Sequence, residues 1–408
     1  MPSYTVRLLH VSDTHLGIKP YGLLDREKDV YDAFMEVVEI AKSERVDAVL
    51  HAGDMFDKST PRPATLMVAV KGLRELAERE VKVYVSPGNH EHPRAVDEGS
   101  PVRLLELVGL LKGPDPRVQS APTVYRLGSE GRVILAVFPP TATHALRGFS
   151  MEKKRGEFLI ALAHVRLCDA LRDAEGVPLE KCSSTTPIFS SDIAGNVDYA
   201  ALGDLHETWE GRLPGGGKAV YPGATEHFAV DEYERSQGRR LVYLLRVEDG
   251  VLAELKRVEL KSVRPWVVLR APYSEVVRAL DGFRRSGGKP PLLYVEISDP
   301  VDRAKRERLV QRLKALAMSG EILDYVLHAR QHSPEEVEAF RRSGEQRVDV
   351  SQLIAEALRT LARRHSIREE CVNAVGLAEK LRDFVLSPSD EKARQLVRDL
   401  ENAVSQCG

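Results

Sequence analysis

An α/β fold is what this sequence predicts, on three observations. The first 85 residues alternate strand, helix, strand, helix, strand by their apolar spacing. Each of these strands runs out into aspartate, asparagine or histidine in a short loop, where α/β proteins place their sites. Further short apolar runs follow and end in a hairpin signalled by Asp249-Gly250.

The first strand is Thr5 to Val11, with Val6, Leu8, Leu9 and Val11 apolar, and it empties into Ser12-Asp13-Thr14-His15-Leu16-Gly17. An Asp and a His two positions apart at a strand end can aim at one point; capping by Asp13 is the alternative use of that residue. A helix is expected from about Asp29 to Ser43, burying Val30, Phe34, Val37, Val38 and Ala41. Val46 to Ala52 forms the second strand and ends in Gly53-Asp54-Met55-Phe56-Asp57, where Asp57 is expected first to cap the next helix and, as the alternative, to support a metal ligand. That helix runs from Pro63 to Glu80. The third strand, Val81 to Val85, breaks at Pro87-Gly88 and delivers Asn89, His90, Glu91 and His92.

Pro101 to Leu111 reads as a leucine-rich helix apolar over most of its circumference, which suggests core on one side and core or a second subunit on the other. Strands follow at Arg132 to Phe138, at Phe158 to Ala163 ending in His164-Val165-Arg166, and at Val197 to Leu202 ending in Gly203-Asp204-Leu205-His206. Between the last two, Leu167 to Asn196 is expected to be a long polar connection walling a site. Ala219 to Tyr221, Leu241 to Arg246 and Val251 to Leu260 complete a first domain near residue 262.

The 408 residues suggest two or three domains, and 43% apolar with 29% charged residues describes a globular protein. A formal charge of −2 lends no overall support to nucleic-acid binding, so any such contact must be local. Met1 to Arg7 leads directly into a strand, which predicts a cytoplasmic protein. Cys168, Cys182, Cys371 and Cys407 form no CxxC pair and are expected to be reduced, structural thiols.

Collected, the strand-end candidates are Asp13, His15, Asp54, Asn89, His90, His164, Asp204 and His206. Carboxylates, imidazoles and an amide without a thiolate suit two hard or borderline divalent metals, manganese or iron ahead of zinc. One aspartate must bridge if the ions sit ~3.5–4 Å apart. His10 and His51 are expected to be core residues or supports for ligands.

The order and spacing of these motifs resemble the calcineurin-like metallophosphoesterases, and within them the archaeal-type meiotic-recombination-eleven (SbcD-related) nucleases of DNA double-strand-break repair. Ser12 to Gly17, Ala52 to Asp57 and Gly88 to Glu91 carry the superfamily resemblance; Ala201-Leu202-Gly203 and Tyr221 to Glu226 carry the nuclease resemblance. It implies a two-layered β-sandwich core flanked by helices, a small α+β capping domain at 263–330 and a helical C-terminal tail. It further implies that Asp13, His15, Asp54 and His206 hold one metal, with Asp54 shared. Asn89, His164 and Asp204 would complete the second site, and His90 would protonate the leaving oxygen as an activated water attacks phosphorus in line. The family usually reads Gly-His-x-His where this chain has Gly203-Asp204-Leu205-His206. A carboxylate there still suits a hard cation and favours manganese or magnesium over zinc.

By the same resemblance, the expected activity is a manganese-dependent exonuclease on duplex DNA and endonuclease on single strands. The chain would be a homodimer joined to an SMC-like ABC-type ATPase, with Lys19, Arg26 and Arg166 as DNA-contact candidates. Residues 331–347 read as a linker. The apolar stripes that follow, such as Val350, Leu353, Ile354, Ala357 and Leu361, need a partner surface, which in the family is the ATPase coiled coil. A helical hairpin covering itself is the alternative. Two other functions stay open: a scaffold subunit with a weakened second site, and a phosphodiesterase for small substrates.

Overall fold

A computed structural model describes residues 4–93, 99–114, 121–182 and 187–329. The expected linker at 331–347 and the helices beyond it lie outside the described residues. Strands β1 (Thr5–Val11), β2 (Ala48–His51) and β3 (Lys82–Val85) alternate with helices α1 (Leu24–Ser43) and α2 (Pro63–Ala77), and α3 (Pro101–Leu107) follows. Next come β4 (Thr123–Leu127), β5 (Val133–Val137), β6 (Phe158–His164), α4 (Cys168–Glu175), β7 (Tyr199–Gly203), β8 (Trp209–Arg212), β9 (Lys218–Tyr221), α5 (Val230–Arg235), β10 (Leu241–Glu248) and β11 (Val251–Glu259).

These strands form two sheets, ordered β11-β10-β1-β2-β3 and β4-β5-β6-β7-β9-β8. In the first, β1-β2-β3 are parallel and form one end, with antiparallel β10 and β11 on the other side of β1; in the second, the parallel middle β5-β6-β7-β9 is flanked by antiparallel β4 and β8. Period two explains how they stack. Val6 and Leu8 of β1 point into a core shared with Leu135, Val137, Ile160, Leu162, Tyr199 and Val220 of the other sheet. Leu9 and Val11, one residue out of phase, pack instead against Val30, Phe34, Val37 and Leu73 of α1 and α2. On the far side, Ile134, Leu159, Ala161 and Leu202 meet Cys168 and Leu171 of α4. The product is a β-sandwich with helices on both outer faces, an α/β fold as the sequence predicts.

Four expectations are corrected here. The 167–196 connection is no polar wall: Leu167, Cys168, Ala170, Leu171, Ile188 and Ile193 are buried in the outer core. Cys168 and Cys182 are joined as a disulfide with Cα atoms 5.6 Å apart, the chain having turned at Gly176, the left-handed residue that ends α4. Such a closure of a short loop is worth about 3 kcal/mol in the chain-entropy account. Arg26 is wholly buried, bonded to Asp29 Oδ2 (2.9 Å) and Glu226 Oε1 (3.2 Å), so it belongs to the interior and not to a DNA-facing surface. Asp29 is the hub of that cluster and also takes Arg264 and Lys289. Helix α3 ends at Leu107, earlier than its apolar run: Val102 and Leu105 are buried while Leu104, Leu107 and Val108 are 49%, 68% and 61% exposed.

Beyond β11 the chain forms β12 (Trp266–Ala271), α6 (Tyr273–Asp281), β13 (Leu292–Ile297), α7 (Arg303–Met318) and β14 (Asp324–His328), with a sheet ordered β12-β13-β14. By packing, the described residues of 4–269, 279–295 and 313–327 form one compact unit, and 270–278 with 296–312 belong to a second.

Candidate metal centre

The strand-end residues are delivered by backbone that ordinary residues avoid. Asp13, His15, Asp54 and Asp204 all have positive φ, at 51°, 41°, 51° and 89°. Non-glycine residues in that region cost of order 1–3 kcal/mol each and persist where the surroundings impose them. The imposing contacts are visible: Asp13 N donates to Gly53 O (2.9 Å), His15 N to Asp54 O (2.9 Å), and Asp204 N to both carboxylate oxygens of Asp13 (3.2 Å). Two glycines let the sheets close on each other at this edge. A Cβ on Gly53 would lie 2.4 Å from His164 Nδ1, and one on Gly203 would lie 2.0 Å from Ala52 O.

All eight candidates converge. His15 Nε2 faces His206 Nε2 at 3.2 Å and Asp54 Oδ2 at 3.6 Å. His164 Nε2 lies 3.0 Å from Asn89 Oδ1, 3.4 Å from Asp54 Oδ2 and 3.6 Å from Asp204 Oδ1. Asp13-His15-His206, His15-Asp54-His90 and Asp13-Asp54-His164 each place three ligand atoms within 4.8 Å of one another. Asp54 thus faces both halves of the cluster. His90, 37% exposed, stands at the mouth with Nε2 3.9 Å from Asp54 Oδ2.

The charge distribution fits cations. Burial would lower the His164 pKa, yet the carboxylates of Asp54, Asp204 and Asp13 overcome it and raise it to about 10. Burial likewise opposes, and His164, His15 and His90 outweigh it, in holding Asp54 below the usual carboxylate range. Burial raises Asp13 to about 6 and lowers His15 to about 3. Carboxylates that draw a proton onto a buried imidazole this strongly are carboxylates in want of a positive charge. With nitrogen and oxygen donors and no thiolate, the residues fit divalent metal ions.

A testable linkage follows. His164 is protonated at neutral pH without metal, and a cation requires it neutral, so binding releases a proton. Manganese affinity should therefore rise with pH, by roughly tenfold per unit below about 10, and more steeply once His206, whose pKa, despite burial, Glu232 and Asp13 raise, and then Asp13, near 6, also take up protons. Titration calorimetry in buffers of different ionisation enthalpy would read it; affinity flat between pH 6 and 8 would refute it.

Several supporting residues have no sequence motif of their own. Glu232 Oε1 accepts from His206 Nδ1 (2.8 Å), while Arg240 Nη2 (2.9 Å) and Phe228 N (2.8 Å) hold its other oxygen. The His206 ring is thereby fixed with Nε2 toward His15, and the Phe228 ring packs against both imidazoles at 5.1 and 5.2 Å. Such carboxylate–imidazole pairs typically change metal affinity by ~10–100-fold when broken. Glu232→Gln should weaken manganese binding by about that range without changing stoichiometry, as measured by calorimetry. Glu91, quoted above only within its motif, is fully buried and accepts from Phe56 N (2.8 Å) and Gly88 N (2.6 Å), tying the loop after β3 to the loop after β2. Asp57 does not cap α2, whose first residue follows Arg62 without a side-chain cap; its carbonyl instead bonds His90 Nδ1 at 2.8 Å. His10 and His51 are core residues paired with Tyr199 and Thr14. Arg166 is 57% exposed on the rim and bonded to Asp204, and Lys19 lies 3.8 Å from Glu27.

Comparison with known proteins agrees with this geometry. Residues 6–137 match the calcineurin-like phosphoesterase family. A DNA double-strand break repair protein Mre11 from Sulfurisphaera tokodaii is 32% identical over 71% of this chain and 72% of its own. Those from Sulfolobus acidocaldarius and Thermoplasma acidophilum are 27% and 28% identical, over 80% and 71% of this chain and 81% and 76% of theirs. Among the described residues no helix is long and apolar enough to cross a membrane. The chain is a metal-dependent phosphodiesterase and belongs to the Mre11 family of DNA double-strand break repair nucleases.

Proposed function

We propose that this chain is a manganese-dependent two-metal nuclease, exonucleolytic on duplex ends and endonucleolytic on single strands. The observation that supports it most is the convergence of Asp13, His15, Asp54, Asn89, His164, Asp204 and His206 about Asp54, with His90 at the open side. His15, His206 and Asp13 would hold one ion and Asn89, His164 and Asp204 the other, with Asp54 shared. Bound there, the ions supply Lewis acidity to the phosphodiester and an activated water. The chain's own part is to position and to move a proton. His90 Nδ1 is engaged by Asp57 O, so Nε2 is the atom left to protonate the leaving oxygen.

The wider assembly belongs to the same proposal. Residues 263–330 would form the capping domain that orients DNA, 331–347 the linker, and 348–408 the segment that docks on an SMC-like ABC-type ATPase. The complex would work in the cytoplasm at the nucleoid. Exposed Leu104 and Leu107 on α3, with Val108 just past its end, favour pairing with a second copy of the chain. Arg166 and Lys19 remain DNA-contact candidates. One observation favours the rival, a weakened subunit: Asp204 Oδ2 is already held by Arg166.

Linear duplex and single-stranded oligonucleotides, incubated with manganese, magnesium or chelator beside bis-p-nitrophenyl phosphate, test the reading. Manganese-dependent cleavage of both DNAs is expected. Hydrolysis of the small ester without DNA cleavage would favour the small-substrate enzyme, and turnover of neither would favour the scaffold.

A further inference from the structure

The two oxygens of Asp204 are doing different things. Oδ1 lies 3.6 Å from His164 Nε2, on the side of the second metal position, and Oδ2 is bonded to Arg166 Nε at 3.0 Å. Backbone hydrogen bonds anchor the segments that carry both partners. Asp204 N is held by both Asp13 oxygens at 3.2 Å. Across from it, Val165 N donates to Gly203 O (3.1 Å) and Leu167 N to Tyr221 Oη (3.0 Å), so both neighbours of Arg166 are pinned. Arg166 lies two residues past His164, and Asp204 directly follows Gly203, the register partner of His164, so the pairing brings the two side chains together at the strand ends.

Charge gives this geometry a purpose. His164 already meets the carboxylates of Asp54 and Asp13, and Asp204 adds a third. Resting on the two-metal reading above, we propose that Arg166 and Asp204 act as one charge-balanced unit of the second metal position. Asp204 binds the cation through Oδ1 alone, and Arg166 occupies Oδ2 and cancels the added negative charge. Arg166 is a positioning residue: it keeps the carboxylate monodentate and moderates the affinity of the ion that Asp204 helps to hold. An ordinary surface ion pair, worth little and independent of metal, is the contrasting account of a guanidinium this exposed.

The test is titration of the full chain with manganese chloride alone, followed by calorimetry and by the spin-coupled dimanganese resonance. The variants are Arg166→Met, Arg166→Lys, Asp204→Asn, Asp204→His and Asp204→His with Arg166→Met, each checked for folding by circular dichroism. Wild type should bind two ions in resolvable steps. Arg166→Met should tighten the weaker step by roughly 3–10-fold, within the usual range of coupled neighbours, and Arg166→Lys should restore it. Asp204→Asn should weaken that step by more than the ~10–100-fold typical of breaking a supporting contact. Asp204→His leaves the guanidinium without its carboxylate beside the cation and should weaken the step; adding Arg166→Met should bring it back to within about 3-fold of wild type. A weaker step indifferent to Arg166 in both backgrounds would overturn the charge-balanced unit and leave the two-metal site standing. Single-step binding of one ion by wild type would overturn both.

Discussion

Asp54→Ala should leave a folded protein that holds fewer than two manganese ions and cleaves no DNA above background. Its carboxylate faces His15, His164 and His90 at 3.6, 3.4 and 3.9 Å, so it reaches both halves of the cluster. It also accepts from His90 N at 3.1 Å, and its loss frees the loop that presents Asn89. The affinity lost should exceed the ~10–100-fold typical of breaking a supporting contact. Metal content after gel filtration in manganese, read beside turnover, checks it. Two ions retained with normal affinity would remove Asp54 from the shared position.

The second large effect separates chemistry from metal binding. On the proposal that His90 handles a proton and is not needed to hold a cation, His90→Ala should reduce DNA cleavage by on the order of 10²–10⁴-fold while both ions stay bound. His90 touches the cluster only at its longest distance, 3.9 Å, and is the most exposed of its imidazoles. Turnover with saturating manganese and the calorimetric stoichiometry of the same preparation decide the matter. Wild-type rates would end the acid role; loss of an ion would recast His90 as a ligand.

Much of this was legible in the sequence because strand ends announce themselves. Apolar alternation followed by Gly-Asp or Gly-Asn-His placed Asp54, Asn89 and His90 at sheet edges, and the α/β order brought those edges together. What stayed hidden acts across long separations or without periodicity. Glu232 sits 26 residues past the His206 it orients, in a short charged helix that reads as solvated. Arg26 looked like a surface cation because nothing local shows that Glu226, 200 residues away, would bury it. Strands β4 and β8 were missed because both are sheet edges, and Trp-Glu-Gly-Arg carries a glycine and no alternation. The thiols of Cys168 and Cys182 are 14 residues apart with no motif between them, and only the turn at Gly176, where α4 ends, closes that gap.

The close approach of the sheets has a mechanical consequence. Asp13, His15, Asp54, Asn89 and His90 hang from one sheet, and His164, Asp204 and His206 from the other. The sheets are stitched beside them by Ser86, which donates to Phe138 O (2.7 Å) and accepts from His164 N (3.1 Å). Ions bound by both sets of ligands would be rivets through a seam. Any sliding of one layer over the other would break coordination, so cations that activate the water attacking the phosphodiester would also lock the sandwich against shear, and chelation would loosen the scaffold together with the chemistry.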